Sequence, residues 1–137
     1  MKTIAYVALM LAISPMAIAS CLSALDSASL KQRLDNTGEM AYANVNVSFQ
    51  CSAATAPYQK LIYANPKLKS LHVLNNRAVI YGYENATKTE VADSPAAIRA
   101  TLKQQGDAAA RCTSAECVCS AYSQSIDDMG GANFGRY

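Results

Sequence analysis

Hydrophobic and polar positions follow three successive patterns along this chain. The first has no periodicity. Residues 4–13 form an apolar or small run of about ten, short of the roughly 20 residues that a membrane-spanning helix needs. Lys2 precedes the run, Pro15 interrupts it, and small residues gather at Ala17, Ala19 and Ser20. That layout predicts a cleaved export signal over residues 1–20, cut after Ala19 or Ser20.

The second pattern has a period of two. Over residues 42–50, Ala43, Val45, Val47 and Phe49 point one way, while Tyr42, Asn44, Asn46, Ser48 and Gln50 point the other. Such alternation predicts a strand with one dry and one wet face. Residues 70–74 and 77–83 read as a hairpin across Asn75-Asn76, because asparagine tolerates the positive φ of a tight turn. That register pairs Val73 with Ala78 and Leu71 with Ile80 on an apolar face. The opposite face collects His72, Arg77, Tyr81 and Tyr83. A short strand is expected near 87–91, whereas 58–63 reads equally as strand or helical turn.

The third pattern is helical. Residues 26–36 carry Leu30 and Leu34 on one face, with Asp26 or Ser27 as cap and Gly38 as stop. Ser94-Pro95 opens a second helix that Gly106 closes. Thr113-Ser114-Ala115-Glu116 has capping-box spacing and precedes a stripe at Val118, Cys119, Tyr122 and Ile126. Residues 127–137 contain three glycines and are expected to form a loose tail. The resulting expectation is a single α+β domain over 21–126. It would have an antiparallel sheet of three to four strands, with an N-terminal helix and two C-terminal helices on one face.

Charge narrows the range of partners. Without Lys2, the 12 basic residues fall to 11 against 10 acidic ones, too even a balance for a duplex nucleic-acid binder.

Cysteines add the remaining constraints. There are five, at 21, 51, 112, 117 and 119, and an odd number in an exported protein leaves one thiol over. Ile18-Ala19-Ser20-Cys21 resembles a bacterial lipobox, which implies lipid on Cys21 and membrane contact through that lipid alone. The alternative is a plain secreted chain with one spare thiol. If Cys21 is lipidated, Cys51, Cys112, Cys117 and Cys119 remain as disulfide candidates. Cys119 faces the core and is the better partner for Cys51, which would leave Cys112 for Cys117, although four cysteines allow three pairings and the sequence does not choose among them. The paired Cys-x-x-Cys spacing of a zinc site is missing, so staples are preferred to metal ligands. Asn46 and Asn85 each begin a glycosylation sequon.

No motif for a hydrolase nucleophile, metalloprotease or phosphate loop is present, and no cofactor is expected. The single histidine, His72, is read as a strand residue making one hydrogen bond. These features predict a small exported, non-catalytic protein that engages or inhibits another protein outside the cytoplasm, as a secreted effector or an envelope inhibitor or immunity protein. Its expected contact surface is Tyr81, Tyr83, Arg77 and His72, residue types that suit interfaces. The alternative is a small secreted hydrolase using His72 with a carboxylate.

Overall fold

The computed structural model describes residues 20–38 and 54–137. Among them are six α-helices and no strand: α1 (Cys21–Ala24), α2 (Ser27–Asn36), α3 (Pro57–Ala64), α4 (Pro66–Thr87), α5 (Pro95–Gln105) and α6 (Ala115–Gly130). The expected antiparallel sheet is therefore corrected to an all-helical arrangement. The strand expected over 42–50 lies outside the described residues, as do Asn46 and Cys51.

The helix starts have local causes. Ser20, Asp26, Asn65, Ser94 and Ser114 each accept a backbone N–H from the first turn that follows, satisfying donors that a helix start leaves open. At α3 this role falls to Gln59, whose Oε1 accepts the N–H groups of Thr55 and Ala56 at 3.1 Å each. Pro57, Pro66 and Pro95 occupy the opening turns of three helices, where a missing N–H costs nothing and the fixed φ is already helical. Gly106, at φ 77°, ends α5 in a conformation that side-chain-bearing residues avoid.

The expected hairpin is the middle of α4. Leu68, Leu71, Leu74, Ala78 and Ile80 are all buried, and so are most residues between them. A helix covered on nearly every side blurs its 3.6-residue period, because apolar residues recur at spacings of two as well as three and four. Asn75 and Asn76, read as a turn, stand mid-helix and buried. Residues 88–91, where a short strand was expected to continue, follow the end of α4 without strand structure.

Helix α4 is the axis of the domain. It packs most extensively on α6 and also against α2, α3 and α5. Where α4 meets α6, a Cβ added at Gly82 would sit 2.6 Å from the carbonyl oxygen of Met129. One core cluster joins Leu30, Ile62, Leu68, Leu71 and Leu74 to Val118, Tyr122 and Ile126. A smaller one gathers Val79, Ile80, Ile98 and Leu102 beneath α5.

The end of the chain differs from the loose tail expected. α6 runs on to Gly130, and Phe134 is then buried against the domain. Arg33 Nε donates to the Phe134 carbonyl at 2.9 Å, and the Asn36 amide donates to that of Gly135 at 3.0 Å.

Two disulfides staple this frame, Cys21–Cys119 and Cys112–Cys117. Cys112 has the expected partner. Cys119 does not: it bonds Cys21 rather than Cys51. A sulfur already in a disulfide has no valence left for the thioether of a lipid, so the structure and a lipidated Cys21 are incompatible. Glu116 explains why α1 lies here, since its carboxylate accepts the N–H groups of Cys21 at 2.8 Å and Leu22 at 3.3 Å.

Candidate functional site

The residues expected to form one contact surface are dispersed by the helix. With about 3.6 residues per turn, positions 72, 77, 81 and 83 cannot all share a face as they would across the expected hairpin, because 72 and 83 fall on one side of the helix and 77 and 81 on the other. His72 is in the core at 0 % exposure. Arg77 is also buried, and its Nη1 donates to the Leu34 carbonyl at 2.7 Å and to Thr37 Oγ1 at 2.8 Å, holding the end of α2. Tyr81 is half-buried with its ring on Phe134, centroids 5.5 Å apart. Tyr83 is half-buried further along α4, and Asn85 is exposed.

A different constellation forms where α3, α4 and α5 converge. They border an open cavity of about 440 Å³. Tyr58 and Gln59 of α3 line one side, and Asn75, Asn76 and Val79 of α4 line another. Arg99, Leu102 and Lys103 come from α5, and Asp107 from the segment that follows it. Arg99 and Lys103, four residues apart on one helix face, are exposed.

Asp107 links the cavity to the core. Its Oδ1 accepts the Ala109 N–H at 2.8 Å, and both its oxygens accept the phenol proton of Tyr122 at 2.9 Å. On the other side, Tyr122 Oη lies 2.9 Å from His72 Nδ1. Nε2 of His72 is 3.3 Å from the side-chain nitrogen of Asn76. With Tyr122 donating to the carboxylate, the consistent pattern has His72 Nδ1–H donating to Tyr122 Oη. Asn76 then donates to Nε2, and the ring is neutral.

Electrostatics agree with that pattern. Burial lowers the His72 pKa to about 4, because removing an imidazolium from water is costly. Burial raises the Asp107 pKa, opposed by the bonds from Ala109 and Tyr122. Tyr58 and Tyr122 are both raised above the ordinary phenol value, first by burial and then by the neighbouring Asp107 charge.

Sequence reading placed Tyr122 in an apolar stripe and Asn75 in a turn, and gave no role to Asp107, Arg99 or Lys103. The available signal was the Asn75-Asn76 pair between the apolar stretches Val73-Leu74 and Ala78-Val79-Ile80. Among the described residues, no group of three or more His, Cys, Asp or Glu side chains is placed to hold a metal ion. No helix among them is long and apolar enough to cross a membrane. Compared with known protein families, curated proteins and solved structures, the chain matches none.

Proposed function

We propose that this protein is a small non-catalytic binding domain that works outside the reducing cytoplasm, released from its leader by a cut after Ala19. Two disulfides in so small a domain fit a non-reducing compartment. The use of Cys21 in one of them favours release over lipid anchoring.

The observation that carries the non-catalytic reading is the enclosure of His72. A general base needs to reach a substrate proton and to have a pKa near the working pH. His72 is fully buried, its pKa is about 4, and its reach to a carboxylate runs through the phenol of Tyr122. The test is a pH titration of the His72 ring signals by NMR. A ring that stays neutral down to about pH 4 supports binding without catalysis. A ring titrating near 6.5 would restore the hydrolase reading.

Engagement of another protein, in the manner of an effector or inhibitor, keeps a narrower basis. Tyr81 lines a cleft of about 420 Å³ beside Tyr137, which is 89 % exposed. Tyr137→Ala should then weaken a purified partner complex without changing the melting temperature, since the Tyr137 side chain is exposed whereas Tyr81 packs on Phe134.

A further inference from the structure

The two disulfides meet solvent differently. Cys119 is in the core at 0 % exposure, and its partner Cys21 is half-buried. In the other pair Cys112 is buried, but Cys117 is exposed in the first turn of α6. A thiol arriving from solution therefore has access to Cys117. A thiolate near a helix N-terminus is stabilised, which favours the reduced form of such a pair. The helix start does not depend on the bond, because the Cys117 N–H donates to Ser114 Oγ at 3.2 Å. The pair spans only 5 positions, so opening it releases little chain entropy and the fold should outlast the loss. What the bond holds is the segment between α5 and α6. Within that segment the backbone bonds are local turns, from Ala110 N–H to the Asp107 carbonyl at 3.1 Å and from Cys112 N–H to the Ala109 carbonyl at 2.9 Å. Asp107 borders the cavity and accepts the phenol proton of Tyr122 on α6. Cys112 clamps the other end of the same segment to α6.

From this arrangement we infer that Cys112–Cys117 is a thiol-exchange site whose opening loosens the Asp107 segment while Cys21–Cys119 stays closed. The reactant is a low-molecular-weight thiol of the glutathione class. Its thiolate attacks Cys117 Sγ and forms a mixed disulfide there. The bond to Cys112 breaks, and its electron pair leaves on Cys112 Sγ, which takes a proton from water. A second thiolate then attacks the sulfur of the first thiol. The small-molecule disulfide forms, and Cys117 is left as a thiolate. Two thiols are thus oxidised to one disulfide while the protein's pair takes up two electrons. With Cys112 released, the hold of Asp107 on Tyr122 is loosened, so the cavity wall and the environment of His72 follow the redox state. The inference takes from the proposed function only the oxidised starting state of a non-reducing compartment, and it does not depend on whether the protein is catalytic.

The test equilibrates the ¹⁵N-labelled mature protein with stepped mixtures of reduced and oxidised glutathione, quenches with iodoacetamide and maps the label by peptide fragmentation. Cys112 and Cys117 should be labelled together at a value of [GSH]²/[GSSG] about tenfold or more below the one that opens Cys21–Cys119. In that half-open form the far-ultraviolet circular dichroism should keep its helical signal. The backbone amide signals of Asp107 and Ala109 and the ring signals of His72 should shift. Cys112→Ser/Cys117→Ser should show the same shifts without glutathione. Opening of both disulfides at one ratio, or of Cys21–Cys119 first, overturns the inference. Unchanged Asp107, Ala109 and His72 signals in the half-open form overturn it as well. Loss of helicity when Cys112–Cys117 opens also overturns it and makes the bond a plain staple. None of these outcomes touches the non-catalytic reading, which the pH titration of His72 in the oxidised protein decides separately.

Discussion

Tyr122 Oη lies 2.9 Å from His72 Nδ1 and 2.9 Å from both carboxylate oxygens of Asp107, so one phenol joins the only histidine of the chain to an acid on the cavity wall. The link crosses from α4 through α6 to the segment after α5. It fixes the neutral ring, orients Asp107, and closes the core beneath the cavity.

Replacing Tyr122 by Phe keeps the ring and deletes the link. His72 Nδ1–H would lose its partner in the core, whereas Asp107, half-buried on the cavity wall, would lose one donor and keep the Ala109 N–H. The expected cost is about 1–3 kcal/mol for each group left unsatisfied, measured as a loss of unfolding free energy in urea. A change within error would mean that water or a neighbour takes over both bonds.

Stability should depend on His72 in the acid range. Its folded pKa of about 4 lies below the ordinary 6.5, so the unfolded chain binds the proton more readily. The contribution is fully present above pH 6.5 and is lost as pH falls toward 4, on the order of 3 kcal/mol in all. Asp107 acts in the opposite sense: its raised pKa favours folding below the ordinary 3.8, and that contribution disappears as pH rises through its folded value. His72→Gln should therefore remove the His72 loss between pH 6.5 and 4 and leave a flatter or reversed slope. Urea midpoints measured across that interval decide the matter. An unchanged slope would assign the acid sensitivity to other groups.

The two disulfides should differ in weight. Cys21–Cys119 spans 98 positions and Cys112–Cys117 spans 5, which the chain-entropy account converts to about 4–5 and about 2 kcal/mol respectively. Comparing Cys21→Ser/Cys119→Ser with Cys112→Ser/Cys117→Ser by thermal unfolding should show the larger loss in the first pair. Alkylation of the unreduced protein should label none of these four sulfurs. Label on Cys21 would reopen the pairing.

Gly82→Ala tests the contact between α4 and α6. The added methyl would stand 2.6 Å from the Met129 carbonyl oxygen, so the helices must separate. The expected cost is about 1–3 kcal/mol, the range for overpacking. Gly106→Ala is a control of another kind, with free space around it but a φ of 77° that disfavours any side chain.

Several features were legible from the sequence alone because their causes are local. Asp26 and Ser94 cap the helices that follow them, Pro95 opens α5, and Gly106 closes it, while α6 takes Ser114 as its cap and not the Thr113 of the capping-box spacing. These signals act within one turn of the chain and need nothing distant. Pro57 and Pro66 gave the same signal at α3 and α4, but were read as a linker end and as punctuation. The pairing of Cys112 with Cys117 is also local, five positions apart, but it was one of the three pairings that four cysteines leave open.

Tertiary structure decided the rest. A run such as residues 68–80 is apolar enough to be buried in either form, and only the surfaces around it select the helix. α6, α2, α3 and α5 surround α4, so nearly every side chain finds cover and the period that separates helix from strand is lost in the sequence. The same enclosure turned His72 and Arg77 from surface residues into core ones. Cys119 had several chemically equal partners, and the Glu116 contact that brings Cys21 to it spans 95 positions. The cavity had no signature in the sequence because Asn75, Arg99, Lys103 and Asp107 meet only when three helices converge. The sequence determined where helices begin and end, since capping is local chemistry; which residues are buried, bonded or brought together depended on contacts between distant segments.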